Sequence, residues 1–328
     1  MTRSLRALLV LAVGVVVLPL IGGTASAHSG GLESEAFLPR VLALDPPVPG
    51  LEVSVVEGGA RLGIVNRTGQ RVEVLPPEGL ARAEEPVVQP GGRGHWADRR
   101  VAAASVTRPA EASPVAWTVP LLVGSEPVVV RGETVWPPPP AGGGWWAATV
   151  ALAAAATVLG VLSVRRERFA PVVVVLAVVA VGAHLVHVLG SALVPIDLSY
   201  WPAVFGTAGI GVGAWALGSA GAVLTFAGRR WGLLLCSLGG AVLALVTAFD
   251  TASFTSSVLP YGWSPTLDRV STVTTVGIGF GLFLTGFAVL RGMTPDDLDL
   301  DDPAADDPPP SGAGHERPSV PSRTTEEA

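Results

Sequence analysis

Lysine is absent from this chain, and all 21 basic residues are arginine. Cysteine occurs once, at Cys236, which excludes an internal disulfide. Methionine is confined to Met1 and Met293, so a thioether-rich Cu(I) site has no material to build on. Charged residues make up 15% of the 328 positions and aromatics 6%, against 49% hydrophobic and a mean hydropathy of +0.51. That balance is too apolar for one ordinary soluble domain and points to a membrane protein. Also missing are a Gly-rich phosphate loop, a G-x-S-x-G elbow, an H-E-x-x-H pair and a C-x-x-C, so no enzyme is expected. The net charge of -6 gathers in the tail after Met293, and argues neither for nucleic acid nor for an acidic substrate.

The start of the chain reads as an export signal. Arg3 and Arg6 form a basic region, Leu8 to Ile21 an apolar one, and Ala25-Ser26-Ala27 a small-residue cleavage site, making residues 1–27 a leader. His28 then becomes the mature terminus, where its α-amine and imidazole can chelate one ion together, an arrangement Cu(II) favours. The alternative is that His28 is merely the residue that follows the cleavage.

Residues 28–136 read as an all-β, sandwich-like domain. "LEVSVVEGGARLGIVNRTGQRVEVL" (Leu51 to Leu75) carries three strand-like runs with turns at Glu57-Gly58-Gly59 and Asn66 to Gly69, which predicts two hairpins. Val101 to Val106, Val115 to Val123 and Pro127 to Val135 repeat the same size, and helical periodicity is absent. Pro76 to Arg100 reads as a long loop.

"WPPPPAGGGWW" marks a linker over 137–144, ending at the tryptophans of a membrane interface. Five apolar stretches follow within 145–291, at 145–164, 169–193, 201–227, 231–249 and 270–290, each near the ~20 residues that cross a hydrocarbon core. Arg165, Arg166 and Arg168, then Arg229 and Arg230, then Arg291 make alternate connections basic and therefore cytoplasmic. The β domain falls outside, as the leader independently requires, and 292–328 is a disordered acidic cytoplasmic tail. Gly209 and Gly213, and Gly277 and Gly281, permit close helix contact, and no Gly/Pro-broken helix pair of the transporter kind is evident.

"GAHLVHVLG" places His184 and His187 one turn apart on one face of the second span, in its outer half. Such a pair can share a metal or bind haem iron, or can be satisfied by Ser and Thr of neighbouring spans. Asp250 and Asp197 are the carboxylates expected nearest that depth, and either can also be simply solvated or capping. In "GRGHWADRR", His95 is the second exterior imidazole and can join His28 in a copper site; otherwise this is a surface loop anchored by Trp96. Cys236 is expected to pack as a small apolar residue. The candidate metal ligands are thus His28, His95, His184, His187 and Asp250.

With "VNRTGQRVEVL", "GHWADRR", "WTVPLLVGSEPVVVRGETVWPPP" and the His-bearing span, the layout resembles actinobacterial envelope proteins that join a cleaved leader, a β domain and a five-helix membrane portion. Through His28 and the helix histidines it also looks loosely like bacterial copper-resistance proteins C and D taken together. That likeness implies a copper-binding β-sandwich serving a membrane partner. The expectation is a multi-pass plasma-membrane protein that handles copper or assists cuproenzyme assembly, with the lipid bilayer and another envelope or copper-handling protein as partners. The alternatives are a structural, partner-binding envelope protein without metal, and a small-solute or ion conduit.

Overall fold

The computed structural model describes residues 32–77, 86–105, 107–111, 113–166 and 169–293. The expected leader, His28 and the tail from residue 294 lie outside the described residues. The β region contains β1 (Leu38–Asp45), β2 (Leu51–Val56), β3 (Arg61–Asn66), β4 (Val72–Val74), β5 (Val87–Val88), β6 (Arg93–Trp96), β7 (Val115–Val123) and β8 (Glu126–Val135). They form a five-stranded sheet in the order β1-β8-β7-β4-β5 and a three-stranded sheet in the order β2-β3-β6.

Period-two alternation builds the core. In β3, β4, β7 and β8 alternate residues are buried, because successive side chains of a strand point to opposite faces. Leu62 and Ile64 from one sheet join Val72, Val74, Val119, Leu121, Val128 and Val130 from the other in one cluster. Each such side chain taken from water contributes roughly 1.5–3 kcal/mol. Buried Asn66 links the sheets: its Nδ2 donates to the carbonyls of Gln70 at 2.8 Å and of Val88 and Gln89 at 3.1 Å.

Several expectations need correction here. The first predicted hairpin forms, with Leu51 opposite Asn66, but the second does not. β4 leaves β3 and joins β7 in the other sheet, since Asn66 ties the intervening turn down on itself. Val101 to Ser105, the described part of the expected Val101 to Val106 strand, is no strand; α1 (Arg99–Ser105) occupies it, burying Val101 and Ser105. The supposed loop from Pro76 to Arg100 contributes β5 and β6, and β1 was not foreseen.

The helices are α2 (Gly142–Val164), α3 (Ala170–Ser191), α4 (Tyr200–Ala208), α5 (Gly211–Phe226), α6 (Trp231–Thr247) and α7 (Pro265–Gly292), with a 3-10 segment, Ala248–Phe254, prolonging α6. The linker is shorter than expected, because α2 already begins at Gly142. Four helices are long and apolar enough to cross a membrane, and a fifth crossing exists if α4 and α5, bent by 77°, count as one. The chain is a multi-pass membrane protein by that measure. The expectation of no broken span is corrected: the third stretch breaks at Gly209, whose φ of 47° and ψ of -123° only glycine adopts readily.

α7 is the hub, packing on α2, α3 and α6. Small residues allow it, as a Cβ on Gly281 would stand 2.5 Å from the Ala156 Cβ and one on Gly279 2.5 Å from the Gly240 carbonyl oxygen. The Gly277 and Gly281 pair therefore does what its spacing suggests. Gly213 does not, because nothing lies within 4 Å of a Cβ built there.

Candidate functional site

His187 projects from α3 into the bundle beneath the β domain. Its Nδ1 is 2.7 Å from Oδ1 of Asp268 on α7, and its Nε2 is 3.4 Å from Oδ2 of Asp250 in the 3-10 segment. All three carboxyl and imidazole groups are largely buried. Tyr261 stacks on the imidazole at a centroid distance of 6.3 Å, and its hydroxyl donates to the Val186 carbonyl at 3.1 Å. Burial and then the Asp268 charge push that hydroxyl up from its ordinary value, so it remains a donor. Buried Arg269 donates from Nε to the Ser253 carbonyl at 2.8 Å and from Nη2 to that of Ser256 at 2.9 Å. A cavity of about 300 Å³ opens on this cluster, with Glu33, Ser34, His187, Asp250, Tyr261 and Asp268 in its wall.

His184 lies one turn away, its ring centroid 6.3 Å from that of His187. It accepts a hydrogen bond on Nδ1 from Trp215 Nε1 at 3.0 Å and packs over Gly211, at the start of α5. The two histidines therefore face different neighbours. An indole bonds His184, and two carboxylates, rather than Ser or Thr of adjacent spans, flank His187.

Asp250 joins His187 as expected, while Asp197 belongs elsewhere. It accepts from Arg61 Nη1 at 2.6 Å and lies 2.7 Å from His95 Nε2, tying β3 and β6 to the connection between α3 and α4. Beside it, Glu57 holds the Ile196 amide through Oε1 at 3.2 Å, and does so from a positive φ of 54°. His95 thus sits in a polar contact between the β domain and the helices, apart from His184 and His187.

The stretch around His95 is strand and helix rather than loop. Trp96 is buried and donates from Nε1 to Asp98 Oδ2 at 3.0 Å, and Arg100 closes on the same carboxylate at 2.7 Å. Burial alone would raise the Asp98 carboxyl, but the bonds from Arg100 and Trp96 outweigh it and hold it below its ordinary value. Cys236 packs fully buried against Gly221. No group of three or more His, Cys, Asp or Glu side chains placed to hold a metal occurs among the described residues.

Reading the sequence missed Asp268, which belongs to the cluster as much as Asp250 does. The signal was present in "WSPTLDRV". Ser264 caps α7, accepting from the Thr266 amide at 3.3 Å, and Pro265 occupies its first turn. That start signature begins the helix at Pro265, five residues ahead of where hydropathy alone begins it at 270, and so puts Asp268 inside it.

Fold and site together define a class: a multi-pass α-helical membrane protein with an appended β domain, enclosing a buried histidine between two carboxylates. No protein family, no curated protein and no solved structure matches the chain.

Proposed function

We propose that the chain is a non-enzymatic plasma-membrane protein that presents a sandwich-like β domain outside the cell and handles a divalent metal ion, with copper(II) as the ion, at His187 and Asp250. Five crossings, counting the broken one, leave the tail cytoplasmic. The alternation of arginine-bearing connections and the leader signature support this orientation.

The observation that carries the metal reading is the pairing of His187. A carboxylate on one imidazole nitrogen is the arrangement that orients a ligating histidine, and Asp268 stands there at 2.7 Å. The other nitrogen faces Asp250 across 3.4 Å, long for an N–H···O bond. Two neighbouring ligands each ~2.0–2.1 Å from a tetragonal copper(II) ion lie about 2.9 Å apart, so holding the ion draws Nε2 and Oδ2 about half an ångström closer than the 3.4 Å seen here. Further ligands must come from solvent or from beyond the described residues. The chain enters the described region at Leu32, which lines the same cavity. His28, the expected mature terminus four residues ahead of Leu32, is the proposed source of a further ligand.

The test is metal analysis and copper(II) titration of the leader-processed protein, of Asp250→Asn, and of a form with one alanine ahead of His28. Binding of one ion that Asp250→Asn weakens at least tenfold supports the site. Binding indifferent to Asp250 removes it, and indifference to the added alanine removes His28 alone.

A second reading, a small-solute or ion conduit, draws on one observation, the break in the third span against His184. Discontinuous helices of this kind line binding sites in transporters. Liposome flux that depends on Asp250 distinguishes it.

A further inference from the structure

α6 and α7 pack closely through small residues and part again on the outer surface of the bundle. Gly279 meets Gly240 and Ala244, and Gly286 meets Ser237, so the two helices run antiparallel along this seam. Beside it Phe280, Phe283 and Phe287 form a ridge on α7, with successive ring centroids 6.0 and 5.2 Å apart. α6 presents Ala241 and Ala248 opposite them. Bulky side chains on one helix and alanines on the other leave a groove of about 600 Å³.

Exposed apolar surface by itself identifies nothing in a bilayer, where lipid tails are as apolar as phenylalanine. Shape narrows the choice. The groove follows α7 from Val276 to Leu290, a rise of about 21 Å, which gives it a mean section of roughly 30 Å². A helix about 10–12 Å across needs roughly 80–110 Å², so the span of a second copy or of another protein does not enter it, whereas a single hydrocarbon chain does. Its length exceeds the ~15 Å that each leaflet contributes to a core of ~30 Å, enough to take a whole acyl chain. Polarity narrows it further, because Ser237, the polar side chain among the described residues of the wall, already donates its hydroxyl to the Leu233 carbonyl at 3.0 Å.

Charge marks one end. Leu290, in the wall, is followed by Arg291 in the last turn of α7, and Leu234, also in the wall, stands one turn beyond Arg230 at the N-cap of α6. Both arginines are exposed. They share the end of the bundle remote from the β domain, the cytoplasmic end in the orientation proposed above. Basic residues between spans at that level attract phospholipid headgroups.

We propose that the groove between α6 and α7 is a binding site for one anionic phospholipid, with an acyl chain along the Phe280, Phe283 and Phe287 ridge and the phosphate held between Arg230 and Arg291. The headgroup lies at the opposite end of α6 and α7 from Asp250 and Asp268, so the site does not depend on the metal reading.

Native mass spectrometry of the full, leader-processed protein tests it, after delipidation in detergent and titration with phosphatidylglycerol or phosphatidylcholine of identical acyl chains. One phosphatidylglycerol should be retained, with about tenfold higher affinity than phosphatidylcholine. Arg230→Gln with Arg291→Gln should abolish that preference. Ala241→Phe, which obstructs the middle of the groove and leaves both arginines in place, should weaken retention of either lipid about tenfold. Arg165→Gln with Arg166→Gln, an exposed basic pair at the same end that does not line the groove, should behave as native, and inorganic phosphate in excess should displace nothing. Equal affinity of the native protein for the two lipids, or an equal loss from both arginine pairs, would reduce the attraction to general surface charge and overturn the proposal. Native retention by Ala241→Phe, or displacement of the lipid by phosphate, would overturn it as well.

Discussion

His187 and Asp268 touch across 81 residues, Nδ1 to Oδ1, joining α3 to α7 where the helices meet the β domain. Charge in such a place persists only when it is paired and hydrogen-bonded. The cluster obeys that rule, with two carboxylates around one imidazole and Arg269 alongside, its guanidinium bound to the Ser253 and Ser256 carbonyls.

Removing the centre of this arrangement should be costly. His187→Ala leaves Asp250 and Asp268 facing each other in a buried site, and breaking one partner out of a buried pair costs about 3–5 kcal/mol. Asp268→Asn keeps the shape and a hydrogen-bonding group, so it should cost less. Unfolding in detergent, followed by tryptophan fluorescence, reads both; equal stabilities for His187→Ala and the native protein would mean the carboxylates find other partners.

Close helix contact gives a sharper contrast. A Cβ on Gly281 meets the Ala156 Cβ at 2.5 Å and the Ala153 carbonyl oxygen at 2.9 Å, so Gly281→Ala must push α2 and α7 apart. Overpacking of that kind costs about 1–3 kcal/mol. Gly213→Ala meets nothing within 4 Å and should be neutral or mildly stabilising, since alanine is the better helix former. The same unfolding measurement separates them.

These two glycine pairs also show what the sequence can and cannot disclose. Both have the same spacing, and only the partner helix decides which one is an interface. The long apolar helices were legible because hydropathy is local, and β7 and β8 because their alternation is strict. The partition of β3 and β4 into different sheets was not, because it depends on Asn66 reaching Val88 and Gln89 across the fold. Nor was α1, whose Val101-Ala-Ala-Ala run is short enough to suit either a strand or a helix. His187 and Asp250 were readable as rare polar residues in an apolar setting. Their third partner was hidden because hydropathy trims helix ends, which is where Asp268 lies.

Acid should act on the β domain through Asp98. Its carboxyl is held below the ordinary value of 3.8 in the folded protein, so the stability it contributes is fully present above that value and is lost as pH falls through its lowered folded value. Asp98→Asn removes this contribution at every pH and leaves Arg100 with a weaker partner. Thermal unfolding of the intact protein, with hydrogen exchange of the β6 and β7 amides as readout, should show the native protein losing stability as pH falls below 3.8. The variant should show a shallower fall over the same range. Parallel curves would assign the acid response to other groups.

The break in the third span makes the last prediction. α4 and α5 meet at 77°, and the joint is Gly209, whose positive φ with ψ near -123° admits no side chain comfortably. Holding a non-glycine residue in such a region costs of order 1–3 kcal/mol. Gly209→Ala should relieve that strain by rotating α5, and the first residue to feel it is Gly211, which packs against His184. Trp215, bonded to the same imidazole, reports the movement. A shift in its emission, lost stability and a weakened Trp215–His184 contact are expected together. Gly206→Ala is the control: it lies within α4, a Cβ there meets nothing within 4 Å, and alanine favours helix by up to about 1 kcal/mol. Equal behaviour of the two variants would show that the bend is imposed by packing around the joint and that glycine at 209 is incidental to it.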